Sequence, residues 1–348
     1  MRGSRPAWTA WADIAKGFAI LLVVINHTTE GILEAGIGTQ VRFWKPFHDV
    51  CYTFHVPVFF FLSGWFSQVS SRQPGSRAKR LLTNMVYPYL LWSTLQSAVM
   101  IAAAAGNIVP KWNGLAWMLL NGSFQFWFLH CLILILVIDL SLRILQVPTW
   151  ARLSGAACLA SASIVGLDLP WKFNAVAENI LYFEVAGALA SVATKLPRLN
   201  MPALAFSGAV LLVSFYSAGA GHPTNLKPIG AFAGIMFCLA SSYLIADSKG
   251  LVRRVLEVCG RSSLQIFVSH LVFAAGFRVI LGRIGVETFW IYFLLCNAAG
   301  VLLPLALAFF DEHYLNFLFR FPDLERTATA RTTAHVSVNS EENFCPPN

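Results

Sequence analysis

Apolar runs of about 20 residues recur along the whole of this 348-residue chain. At about 1.5 Å per helical residue, a run of that length crosses roughly 30 Å of hydrocarbon. The chain is 57% hydrophobic and 12% charged, about half the charge of an ordinary soluble domain, and a soluble core cannot absorb that much apolar surface. Lipid offers the backbone no hydrogen-bond partners, so each run is expected to be a helix. Bounded by charge, Pro and Gly clusters, the runs fall near 13–33, 47–68, 82–105, 124–144, 152–168, 174–193, 201–218, 229–246, 262–282 and 288–310. The expected fold is an all-α integral membrane protein of about ten transmembrane helices. Residues 1–12 form a cytoplasmic N-terminal segment, 13–310 the transmembrane domain, and 311–348 a cytoplasmic tail. The tail turns polar after about Leu324 and is expected to be largely disordered. A Gly, Asn and Trp-rich segment, 107–123, is expected to dip into the interface between two spans.

The formal charge of +8 sits in short clusters between apolar runs rather than along one soluble face, which argues for topology determinants and against nucleic acid. Arg77, Lys79 and Arg80, then Arg143 and Arg152, then Arg253, Arg254 and Arg261 mark the cytoplasmic side, placing both termini there. The first apolar run is followed by many like it and is expected to be a retained span rather than a cleaved leader. The cysteines form no CxxC pair, and Cys131, Cys158, Cys238 and Cys296 lie within apolar runs, where they are expected as small buried packing residues. No internal repeat or pair of broken spans suggests the inverted halves of a secondary transporter.

An ionisable side chain at membrane depth costs about 3 kcal/mol or more without a partner or a wet cavity. His27, His55, His130, Glu178, Glu184, His270 and Arg278 all fall at such depths. Lys16 and His27 are eleven residues apart, so they share one helical face about 16 Å from each other along the axis. Glu30 and Glu34 continue that stripe. One reading has Lys16 and His27 look into one cavity; the other has Lys16 reach the headgroups while His27 caps a neighbouring helix. Arg77 and Arg80, three apart, project the same way and offer forked donors for phosphate, or serve topology alone. His48 and His55 nearly share a face of the second span, suited to an acceptor path or to structural burial. Tyr52 and Trp127 are candidates to stack on a sugar ring, or ordinary interface anchors. Asp139 and Arg143 are spaced as a local helix ion pair, and Ser63 and Gly64 as a close helix contact.

The stretches DIAKGFAILLVVINH (Asp13 to His27), FHVPVFFFLSGWF (Phe54 to Phe66) and RAKRLLTNMVYPYLLW (Arg77 to Trp92) resemble the acyltransferase-3 family of integral membrane O-acyltransferases. FQFWFLHCLI (Phe124 to Ile133) and CGRSSLQIFVSHLVF (Cys259 to Phe273) resemble its later motifs, in the family's order. The opening motif looks most like the fucose 4-O-acetylase branch.

The resemblance implies about ten spans in the bacterial inner membrane and transfer of an acetyl group from cytoplasmic acetyl-CoA to a saccharide hydroxyl. The acceptor would be a polysaccharide, a lipid-linked sugar or lipopolysaccharide; no metal is implied. It makes His27 the essential histidine of a basic-x10-His motif and maps the family's Arg-x-x-Arg motif onto Arg77 and Arg80. Many members have Arg where this chain has Lys16, a point charge lacking the bidentate fork. The expected site therefore has His27 and Glu30 as catalytic residues. Lys16, Arg77, Lys79 and Arg80 would bind coenzyme A, and His55, Trp127 and His270 would line the acceptor side. His27 acts either as general base or as a transient acyl carrier. Succinyl transfer and a polysaccharide or lipid-linked sugar transporter are the alternatives; oligomeric state is open.

Overall fold

The computed structural model describes residues 10–38, 43–70, 72–103, 122, 124–167, 169, 173–192, 200–219 and 227–322. Twelve α-helices are present among them and no strands: α1 (Ala10–Glu34), α2 (Trp44–Val69), α3 (Pro74–Leu81), α4 (Tyr87–Ala103), α5 (Trp127–Ile144), α6 (Thr149–Ile164), α7 (Phe173–Ser191), α8 (Met201–Gly219), α9 (Lys227–Ala246), α10 (Leu251–Arg261), α11 (Ser263–Arg283) and α12 (Phe289–Phe310). Over the described residues each of the ten apolar runs is mainly helical, and the short polar helices α3 and α10 are added between them. Among the described residues six segments are long and apolar enough to cross a membrane: Ala10–Glu34, Trp44–Val69, Phe124–Ile144, Pro228–Ala246, Ser263–Arg283 and Phe289–Leu315. The protein is thus a multi-pass membrane protein.

The molecule is apolar on the outside and carries its polar groups within, the pattern that lipid selects. Phe206, Leu212, Leu294 and Leu302 stand exposed, whereas Asn26, Thr29, His55, Ser269 and His270 are fully buried. Cys131, Cys238 and Cys296 are buried as expected, but Cys158 is exposed, because α6 turns that face away from the bundle. Glu178 is also exposed, near the start of α7, where it accepts from Ser163 Oγ at 3.3 Å.

Helix α1 is the hub, packed against α2, α9, α10, α11 and α12. It runs antiparallel to α2, so Lys16 lies level with Phe66 and His27 with Tyr52 and His55. Two interfaces are as tight as backbones allow. A Cβ on Gly64 of α2 would lie 2.0 Å from the Phe183 carbonyl oxygen of α7. A Cβ on Gly17 of α1 would lie 2.0 Å from the Leu256 carbonyl oxygen of α10, and one on Gly260 1.7 Å from that of Asp13. Small residues permit this approach, and it clamps the Lys16 end of α1 to the polar helix α10.

Arg278 of α11 donates to the Gly31 carbonyl of α1. Beyond α12 a π-turn, Asp311–Leu315, is followed by a segment that folds back on α4. There Trp92 Nε1 donates to the Leu318 carbonyl at 2.8 Å, and Trp92 stacks on the buried Phe319. Residues 311–322, assigned to the tail by composition, therefore pack on the bundle; residues 323–348 and the 107–121 segment lie outside the described residues.

Candidate active site

Two cavities open along the α1–α2 seam. The first is a chamber lined by Val23, His27, Tyr52, His55, Val56, Phe59, Gln125, Trp127, Phe128 and Phe267. Its volume is ≈ 10 Å³, room for about one water. The second, of ≈ 380 Å³, is a vestibule at the Lys16 end, lined on its polar side by Lys16, Ser67, Ser70, Arg72, Arg77, Arg80 and Asp139.

In the chamber His27 meets a cluster of rings. Its Nδ1 lies 3.4 Å from the Tyr52 hydroxyl and 3.9 Å from Glu30 Oε2. Glu30 Oε1 is in turn 4.0 Å from His48 Nε2, so the carboxylate sits between two imidazoles. His48, Tyr52 and His55, one turn apart on α2, form a ladder with ring centroids 4.3 and 4.9 Å apart. The His270 ring lies 5.7 Å from that of His27.

His55 and His270 share a second feature. Each directs Nδ1 at carbonyls of its own helix: His55 at Cys51 O (2.5 Å), His270 at Phe267 O (2.8 Å) and Ile266 O (3.1 Å). A carbonyl only accepts, so the proton resides on Nδ1 and Nε2 carries the lone pair. Both Nε2 atoms are buried and, among the described residues, have no partner. Trp127 completes the wall beside Gln125, whose amide pairs reciprocally with that of Gln96 on α4 at 3.1 and 2.5 Å.

The vestibule differs from expectation in the use of its cations. Arg77 is consumed by its own chain: it donates to the carbonyls of Ser67 (3.1 Å), Ser70 (2.5 Å) and Arg72 (3.0 Å) and to Ser67 Oγ (3.2 Å). It thereby caps the open C-terminus of α2, where unsatisfied carbonyls attract a cation. Lys79 is exposed and absent from the wall, and Arg72 stands there instead. Arg80 has no acceptor among the described residues. Burial and the neighbouring Arg143 push the Arg77 guanidinium below its ordinary value, and burial and Arg72 do the same to Arg80. Both remain cations, so the vestibule is short of negative charge. Lys16 is partly neutralised by Asp13 at 3.3 Å, which also lies 3.6 Å from Arg261, and its ammonium sits 5.6 Å from the Phe66 ring centroid.

Behind the vestibule lies a buried ion network that spacing alone missed. Asp139 accepts from Arg143 (2.9 Å), as its position four residues earlier suggests, but also from Arg152 of α6 and from Ser67 of α2, both at 2.5 Å. Arg152 bridges on to Glu184 of α7 at 2.8 Å. Ser67 links this network to Arg77. Among the described residues no group of His, Cys, Asp and Glu is arranged to hold a metal ion.

Membrane-capable helices enclosing a small histidine chamber, with a larger cation-lined cavity beside it, define a polytopic membrane protein that carries buried ionisable groups. The chain belongs to the acyltransferase-3 family: the family model, described as an acyltransferase domain, matches residues 9–309. Over 108 residues it is 36% identical to the nodulation protein NolL of Mesorhizobium japonicum, a stretch amounting to 28% of either chain. Over 98 residues it is 31% identical to the nodulation protein NolL of Sinorhizobium fredii, covering 26% of this chain and 25% of that one. The match thus spans little more than a quarter of the length of these curated relatives. No solved structure matches the chain.

Proposed function

We propose that the protein is a membrane O-acyltransferase that moves an acetyl group from coenzyme A to a hydroxyl of a surface or lipid-linked saccharide. The reading rests on membership of the family and on one geometric observation: the vestibule carrying Arg72 and Arg80, which have no acidic partner among the described residues, shares its Phe59 wall with the chamber that holds His27. In this reading the donor's phosphates sit against Arg72, Arg80 and Lys16, and its pantetheine arm extends along α1. The chain crosses the bacterial inner membrane ten times with the Lys16 end and both termini cytoplasmic, which agrees with the crowding of Arg and Lys at that end. Surface tags accessible on the far side would count against this orientation.

The chemistry follows from the His27 surroundings. A proton on Nδ1, facing the Tyr52 hydroxyl and Glu30, leaves the lone pair on Nε2. The acceptor hydroxyl transfers its proton to Nε2 as its oxygen attacks the thioester carbonyl. The C–O bond forms, the C–S bond breaks, and the departing thiolate recovers the proton from the imidazolium as coenzyme A thiol. General-base catalysis of this kind contributes about 10²- to 10⁴-fold. His55 and His270, each with a free buried lone pair, are suited to accept from neighbouring hydroxyls of a sugar. The test uses membranes containing the protein, radiolabelled acetyl-CoA and extracted glycan. Label should pass to glycan with the wild type and not with His27→Ala, and near-normal transfer by that variant would overturn the assignment.

A further inference from the structure

The residue shared by the walls of the two cavities is Phe59. Among the described residues no other side chain faces both the chamber and the vestibule. The other rings beside it are wedged. Phe128 is held between Phe60 at 5.2 Å and Phe267 at 5.1 Å, and Val56 and Val23 are buried in the α1–α2 seam. Phe59 is half-buried: it packs on Phe128 at 5.6 Å on one side and borders the open ≈ 380 Å³ vestibule on the other. It is therefore the wall that has somewhere to go.

The space at His27 is ≈ 10 Å³, so a thioester carbonyl brought there has almost no room for the chain attached to it. Turning Phe59 toward the vestibule admits a small acyl group, while each further methylene meets Phe128 and Val56, which are buried in a packed interior.

We propose that Phe59 sets the length of the acyl group that the protein transfers, closing the His27 chamber when empty and restricting it to two-carbon acyl donors when turned aside. This rests on the acyl-transfer reading above. Acyl transfer itself is unchanged in mechanism; the ring acts on which donor reaches the imidazole.

The experiment compares initial rates of label transfer from radiolabelled acetyl-, butyryl- and hexanoyl-CoA to glycan and lipid-linked sugar extracted from the source membranes. The variants are wild type, Phe59→Ala, Phe59→Leu and the control Phe66→Leu, whose ring lines only the vestibule. One methylene against a fitted wall is worth about 10- to 200-fold in discrimination. Wild type should favour acetyl over butyryl, and Phe59→Ala should lower that ratio at least tenfold, with Phe59→Leu intermediate and Phe66→Leu unchanged. Should Phe59→Ala not accumulate, Phe59→Leu carries the comparison. An acetyl-to-butyryl ratio unaltered in the Phe59 variants, or altered equally by Phe66→Leu, overturns the proposal while leaving acyl transfer intact. Absence of transfer from all three donors in wild type removes the acyl-transfer reading and this inference with it.

Discussion

Arg152 Nη2 stands 2.8 Å from Glu184 Oε1 across the α6–α7 interface and 2.5 Å from Asp139 on α5, with all three side chains almost wholly buried. A buried charge that loses its partner is left uncompensated, which costs about 3–5 kcal/mol. Arg152→Met should therefore lower the thermal midpoint of the detergent-solubilised protein sharply, and Arg152→Met with Glu184→Gln should recover part of the loss. Equal midpoints for the single and double variants would show that the pair is not coupled.

The two arginines of the Arg-x-x-Arg motif should separate in their effects. Arg77 holds the carbonyl end of α2, so Arg77→Ala should reduce thermal stability as well as activity. Arg80 has no acceptor for its fork among the described residues, and its loss should raise the KM for acetyl-CoA about 10- to 150-fold, the value of a charge-assisted contact of about 1.5–3 kcal/mol, with an unchanged melting profile. Steady-state kinetics beside a thermal-shift assay distinguish the two.

Tyr52→Phe removes the hydroxyl facing His27 Nδ1 and leaves the ring ladder in place. A neutral hydrogen bond is worth about 0.5–1.5 kcal/mol, so kcat should fall up to about tenfold while the KM for donor stays constant. A rise in KM with unchanged kcat would place Tyr52 in binding instead.

Gly260→Ala drives a methyl into the Asp13 carbonyl, a backbone group that has no rotamer to escape by. Overpacking of this kind costs about 1–3 kcal/mol. Because the contact also seats the Lys16 turn of α1, transfer activity should drop together with the thermal midpoint. Gly250→Ala, at a glycine whose added methyl meets open space, is the control.

What was legible in the sequence is what depends on depth and local period. The Lys16–His27 stripe, the His48–His55 face and the Gly64 contact follow from helix geometry, and each helical run is visible as apolar length, whereas Tyr52 as the ring between the two histidines is not singled out by spacing. What was hidden depends on which helices meet. Asp139 and Arg143 show their spacing, but nothing local places Arg152 and Ser67 around the same carboxylate or sets Glu184 on the far side of Arg152. His270 lies far from His27 in the chain, and only the packing of α11 on α1 brings their rings within 5.7 Å. Hydropathy likewise assigns Cys158 a depth without a direction, and α6 points it outward. Arg77 looked free because the carbonyls it caps belong to the end of another helix.

The near-contact of Gly64 with the Phe183 carbonyl bears on tempo. Helices α2 and α7 meet with no side chain between them at that point, so they cannot slide past one another without lipid entering a seam that does not admit a methyl group. Under the proposed acyl transfer, a donor arriving at the chamber would then wait for the Phe59 side chain to swing rather than for a bundle to rock. A ring that borders open space needs no concerted helix movement of the microsecond-to-millisecond kind to turn, which on that proposal would leave the bond-making step or product departure to govern turnover.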